Sequence, residues 1–227
     1  MKLKPAWLTA ALVFFLLSAP AWAAGGDFGL TLLGGYVHPT NSEAMAGRDG
    51  DSGPASSGFK DTWTLGAEAI YRLPQGLALG LGVQYLELTA DAARQGNSET
   101  EFANLQLTPV YVLARYIHPV KSGLTGHLEA GLGYAFAKAG KEAGIEAMEA
   151  GIGESVSIDA KDNVCAFVGA GADWFFTPAW SLGLGLRYWW MESDYDMKTD
   201  RLGNIEKGAF QADSLQCRLS LTYWFGN

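Results

Sequence analysis

Apolar and polar positions alternate with a period of two through eight stretches of this chain, most plainly in the last. From Ser214 to Phe225 one row holds Leu215, Cys217, Leu219, Leu221, Tyr223 and Phe225, and the other holds Ser214, Gln216, Arg218, Ser220, Thr222 and Trp224. A period of two places successive side chains on opposite faces of a strand. The same alternation predicts strands over residues 27–39, 62–73, 77–89, 102–118, 124–138, 163–176, 180–191 and 214–225. Each is greasy on one side and small or polar on the other, which suits a barrel whose outside meets lipid. The expected fold class is therefore all-β: an eight-stranded antiparallel up-and-down transmembrane β-barrel.

The connections alternate in length, and this sets the orientation. Pro74-Gln75-Gly76, the 119–123 turn and Thr177-Pro178-Ala179 are short, and each holds a proline, whose preset φ suits a tight turn. Residues 40–61, 90–101, 139–162 and 192–213 are long. Short periplasmic turns and long extracellular loops are the polarity of outer-membrane barrels. On the outward rows Trp63, Tyr85, Tyr134, Phe136, Tyr188 and Trp190 fall at the external ends, while Tyr71, Trp174, Phe176, Trp180, Tyr223 and Phe225 fall at the periplasmic ends. Amphipathic rings favour the two membrane interfaces, so this distribution forms two girdles. A soluble β-sandwich would alternate too, but without paired girdles. Pro109 lies inside the fourth strand; having no N–H for the ladder, it predicts a bulge or a shifted boundary there.

The start of the chain agrees with export. Lys2 and Lys4 precede an apolar run from Ala6 to Leu17, and Ala21-Trp22-Ala23 forms a small-residue cleavage site. The run is too short to span a membrane and is followed by Pro20, so residues 1–23 are expected to be a secretory signal peptide and residues 24–227 one barrel domain.

With these features the chain resembles the small eight-stranded outer-membrane barrels, the superfamily of OmpA, OmpX, OmpW and the opacity-type adhesins. The resemblance covers residues 24–227 and is one of architecture. The last strand also resembles the signal read by the barrel-assembly machinery, with Arg218, Ser220 and then the aromatics Tyr223 and Phe225. Ser220 replaces the glycine common in that signal, and Gly226-Asn227 follow the final aromatic. The resemblance implies a monomer in the bacterial cell outer membrane, with lipid, lipopolysaccharide and the assembly machinery as partners.

The formal charge is −8, and the acidic excess lies in the long connections. Acidic loops do not suit heparin, nucleic acid or another polyanion. They stay solvated, and they could share divalent cations with lipopolysaccharide. Cys165 falls on a lumen row and Cys217 on a lipid row with a strand between them, so neither a disulfide nor a zinc site is expected.

The lumen rows carry the candidate chemistry. Glu68, Glu129, Arg187 and Arg218 lie at similar depth, with Arg72 and Asp173 nearer the periplasm. Buried charges of both signs are stable only when paired, so these six predict an ion network in the lumen. Glycines at 80, 82, 131, 133, 169, 171, 183 and 185 leave room for Tyr116, Phe167, Phe175, Trp189 and Trp224. An eight-stranded barrel holds its own side chains or one small ligand, and a packed polar core fits better than a conducting path.

Other sites are weaker. His118 and His127 lie near the periplasmic ends, whereas His38 ends the first strand on the outer side with Ser42 and Glu43 nearby. These are the ingredients of an outer-leaflet lipid A-modifying enzyme without its motif, so no catalytic residue, cofactor or metal is assigned. Asp194-Tyr195-Asp196 lacks the later ligands of a calcium loop and is expected in a hairpin extension turning near Gly203-Asn204. A one- or two-turn helix fits within 141–149. The function expected is non-enzymatic: an envelope-structural or adhesin-like surface role, with acidic loops displayed to an unidentified ligand. The alternative is a narrow pore or a small hydrophobic-compound transport barrel of OmpW-like type, with lateral escape.

Overall fold

The structure is a computed structural model that describes residues 27–41, 44–47, 56–92, 101–199 and 203–225. The expected signal peptide lies outside the described residues. Eight strands form the barrel wall: β1 (Phe28–Pro39), β4 (Thr62–Arg72), β5 (Leu77–Ala92), β6 (Glu101–Lys121), β7 (Leu124–Lys141), β9 (Asn163–Thr177), β10 (Trp180–Thr199) and β12 (Ser214–Phe225). Each pairs antiparallel with its neighbours in that order. The ring closes where β12 lies along all of β1, from Phe28 opposite Phe225 to Pro39 opposite Ser214. Short strands β2 (Met45–Gly47), β3 (Ser56–Phe59), β8 (Val156–Ala160) and β11 (Gly203–Gln211), with helix α1 (Ala143–Ile152), fold the long connections onto the external end.

The wall is taller than a membrane. A tilted strand crosses in about 9–11 residues, whereas β6 has 21 residues and β10 has 20. The excess is external, and there the chemistry of the two faces reverses while their parity does not. Within the bilayer Leu79, Leu81, Val112, Leu132, Leu184 and Leu219 point outward and are exposed. Further along the same outward rows stand Glu87, Asn104, Gln106, Glu192 and Asp196. The inward rows reverse in turn, from charge at mid-depth to Leu86, Leu88, Leu105, Leu107, Met191, Tyr195 and Met197, which form one buried apolar cluster. Water surrounds the upper wall, so the apolar face turns inward to escape it.

This reversal explains one error of the sequence reading. Asn104, Gln106 and Thr108 make the even row of β6 look like a lumen row, and Tyr116 shares it. They are polar because they stand at or above the lipid boundary; Tyr116 is half exposed, on the lipid side at the periplasmic end. The odd row faces inward and brings Tyr111 and Arg115 with it.

Two more expectations change. The segments expected as long loops are largely strand: β5, β6, β7 and β10 run on into them, and α1 continues through residue 144 to end at Gly153, whose φ is 71°. Pro109 produces neither a bulge nor a boundary. Pairing between β5 and β6 holds its register from Val83–Val110 to Leu86–Leu107, but the two intervening pairs, 84 with 109 and 85 with 108, are missing.

Candidate functional site

At mid-depth the lumen is filled by one charged layer. Glu68 (β4) and Glu129 (β7) face Arg115 (β6), Arg187 (β10) and Arg218 (β12), and none of these side chains is more than 4% exposed. Arg187 Nη2 lies 2.8 Å from Glu68 Oε1 and 2.9 Å from Glu129 Oε1. Arg218 reaches the same two carboxylates at 3.3 and 2.9 Å. Arg115 gives Nη2 to Glu129 Oε2 at 2.8 Å and to Glu68 Oε2 at 3.3 Å. Tyr111 donates to Glu68 Oε1 at 2.8 Å and accepts from Arg187 Nη1 at 3.1 Å. Each guanidinium therefore spans both carboxylates, the arrangement that offsets the large desolvation of buried charge.

The wall is shaped for this layer. A side chain at Gly82 would overlap the Tyr111 ring, and a Cβ at Gly171 would lie 2.8 Å from His127 Nε2. Above the charges Tyr111, Phe167 and Trp189 pack together, with Phe167 and Trp189 centroids 4.6 Å apart, and the Arg187 guanidinium lies 4.0 Å over the Phe167 ring. Below, His127 Nδ1 is 2.9 Å from Asp173 Oδ2 and its Nε2 is 3.4 Å from Arg218 Nη2.

The sequence-predicted residues divide. Glu68, Glu129, Arg187 and Arg218 come together, and Asp173 joins through His127. Arg72 stands apart at the periplasmic mouth, stacked 3.7 Å over Trp224 with Asp27 3.7 Å away. Sequence reasoning missed Arg115, Tyr111 and His127. The parity of β6 hides the first two, while His127 shares the inward row of Glu129 on β7.

Above this layer the interior is apolar up to α1, whose Ile145 is fully buried in the same cluster. In the wall of this upper compartment the β5–β6 ladder lacks the two pairs beside Pro109. Gln84 and Pro109 point inward there and are buried; Tyr85 points outward. Just below, on the lipid side, a depression of about 1000 Å³ is lined by Leu79, Leu81, Val112, Ala114, Leu132 and Val168, among others.

The remaining candidates lie elsewhere. His38 projects outward and bonds Asp61 through Nδ1 at 2.6 Å, and Tyr36 donates to the other Asp61 oxygen. Those two bonds hold the Asp61 carboxyl below the usual carboxylate range, the tyrosine having the larger effect. Ser42 and Glu43 lie outside the described residues. Cys165 is buried in the interior, Cys217 is exposed on the lipid face, and both are free. Asp194 and Asp196 stand on the outer face of β10, Asp196 paired with Lys161 at 2.9 Å.

Comparison with known proteins agrees with this architecture. The family model of the outer membrane protein beta-barrel domain matches residues 9–213. Among solved structures, the chain is similar to the outer membrane protein OprG from Pseudomonas aeruginosa, with a TM-score of 0.68 and 16% identity, covering 89% of this chain and 97% of that one. It is also similar to outer membrane protein AlkL, with a TM-score of 0.54 and 14% identity over 88% of this chain and 90% of that one. For the Escherichia coli outer membrane protein W the TM-score is 0.51 and the identity 21%, over 88% and 98%. At these identities the likeness is one of fold. No curated protein sequence matches the chain.

Proposed function

This chain belongs to the outer membrane protein beta-barrel domain family, residing in the bacterial outer membrane, and on that premise we propose that it passes small apolar molecules from the cell surface sideways into the membrane. The observation that carries this is the gap in the β5–β6 ladder at Pro109, set between an apolar interior and an apolar depression on the lipid side. A proline in a wall strand removes a ladder donor, and the interruption of the β5–β6 ladder there would give an apolar solute a way out without crossing the charged layer.

The charged layer supports the same reading. Its side chains are too buried for water to reach, so it acts as a floor and not as an ion path. An aqueous pore would line its whole length with polar groups; here the upper interior is leucine, methionine and aromatic. The surface-binding role inferred from acidic loops keeps one support, the acidic outer faces of the upper wall.

Replacing Pro109 by Ala supplies the missing N–H and closes the gap. Uptake of an apolar dye by cells producing that variant should fall toward the level of cells without the protein, at equal amounts of folded barrel. Planar bilayers containing the native protein should stay electrically silent. Uptake unchanged by Pro109→Ala, or discrete ion-conducting steps from the native protein, would overturn the proposal.

A further inference from the structure

Gln84 stands on the inner face of the wall at the ladder gap, opposite Pro109 by register. It is 2% exposed, and its Oε1 has no hydrogen-bond partner. Around it the inward positions are Gly82 and Leu86 on its own strand, Leu107 and Tyr111 on β6, and Gly66 opposite it on β4, flanked by Thr64 and Glu68; the Tyr111 hydroxyl is engaged by Glu68 and Arg187. A buried acceptor without a partner is uncommon and unfavourable. Here it coincides with the interruption of the β5–β6 ladder at Pro109.

A second amide flanks the charged layer. Gln216 is fully buried on β12, and its Oε1 accepts from Trp189 Nε1 at 3.1 Å, which fixes the amide orientation. Its Nε2 and the Ser214 hydroxyl on the same row have no partner either. The apolar compartment therefore carries a few unused polar positions just above its charged floor, and Gln84 is the one at the exit.

We propose that Gln84 makes the lateral exit selective for small apolar molecules carrying one uncharged hydrogen-bond donor, such as medium-chain alcohols, over equally sized molecules without one. The alcohol O–H donates to Gln84 Oε1 as the apolar body passes the gap between β5 and β6. A charged head is disfavoured, because the nearby guanidinium and carboxylate groups are already matched and a further buried charge would stand unpaired. A hydrocarbon or an ether passes but leaves the acceptor unmet. Sites that hydrogen-bond a hydroxyl discriminate against analogues lacking it much better than apolar sites discriminate by size. This inference rests on the lateral-passage reading and adds its substrate class.

The test compares 1-decanol with methyl nonyl ether, which differ in the donor and little in size. Uptake rates are measured in cells producing the native protein, in cells producing Gln84→Leu, and in cells without the protein, whose rates are subtracted. The alcohol-to-ether ratio should be higher with the native protein by about tenfold, a typical worth of one hydrogen bond, and should fall to near one in Gln84→Leu. Gln84→Met, unbranched and of similar volume, serves the same comparison should leucine disturb assembly. Equal uptake of both compounds by the native protein overturns the selectivity and leaves lateral passage standing. A preference that survives both substitutions overturns the assignment to Gln84. If neither compound enters faster than in cells without the protein, lateral passage itself fails.

Discussion

Arg187 and Glu68 meet across the lumen with Nη2 and Oε1 2.8 Å apart, although 119 residues separate them in sequence. One comes from β10 and the other from β4, on well-separated parts of the wall. The contact can form only when the ring is closed, so the ion layer also reports on correct closure. Both side chains are completely buried, which makes each the condition for burying the other.

Removal of one partner should therefore hurt more than removal of both. Glu68→Gln leaves Arg187 and Arg218 sharing only Glu129, and breaking a buried pair in this way costs about 3–5 kcal/mol. Urea unfolding in lipid vesicles should show that loss. Glu68→Gln combined with Arg187→Met should recover part of it, giving a coupling larger than the roughly 0.5 kcal/mol error of additive sites. Strict additivity would mean that the two do not share one network.

Much of the barrel was legible in the sequence because lipid imposes one rule on every strand: apolar outward. That rule gave eight strands with periplasmic ends close to those found, both girdles, and the shared depth of Glu68, Glu129, Arg187 and Arg218. It failed where lipid stops. On β6 the polar Asn104 and Gln106 lie outward because water surrounds them, and a single rule for the whole strand then assigned Tyr116 to the lumen and left Arg115 out. The same limit hid the inner face of the upper wall: Asp194 and Asp196 suggest only a solvated hairpin extension, which the β10–β11 pair provides, yet Tyr195 between them and Met197 beside them are buried. Pro109 was visible as a weakness, but whether a strand bulges or simply opens depends on its neighbour's register, which one strand's sequence does not contain.

Glu149 should tie α1 to the upper wall in a pH-dependent way. Its carboxylate accepts from Lys141 Nζ at 2.6 Å and from the Val156 N–H at 2.7 Å. Lys141 first, and then that N–H, hold the Glu149 carboxyl below the usual carboxylate range. The folded state thus favours the ionised form. The contribution is complete above the pH at which an unfolded glutamate titrates and is lost as the pH falls through the lower folded value. Hydrogen-exchange protection of α1, corrected for intrinsic rates, should fall on acidification across that window and with added salt. In Glu149→Gln it should be low throughout and insensitive to both. Equal protection in the two proteins would show that Ile145 packing alone holds the helix.

The boundary between lipid and water on the wall can be located by three substitutions. Leu219 faces outward at mid-depth, is 55% exposed, and stands opposite Leu184 and Gly34. An arginine there should cost about 2–4 kcal/mol, as at a barrel midplane. Gln106 faces outward as well, but beside Glu87 above the outer girdle, where Gln106→Arg should change stability by no more than about 0.5 kcal/mol. Leu105, its neighbour in sequence, is fully buried in the interior, so Leu105→Ala should cost about 2–5 kcal/mol, as in the core of a soluble protein. Urea titrations of the three variants in lipid vesicles give the ranking directly. If Gln106→Arg proves as harmful as Leu219→Arg, the bilayer reaches higher than the reversal of face chemistry indicates. If Leu105→Ala is harmless, Leu105 is not held in the buried cluster of the upper wall.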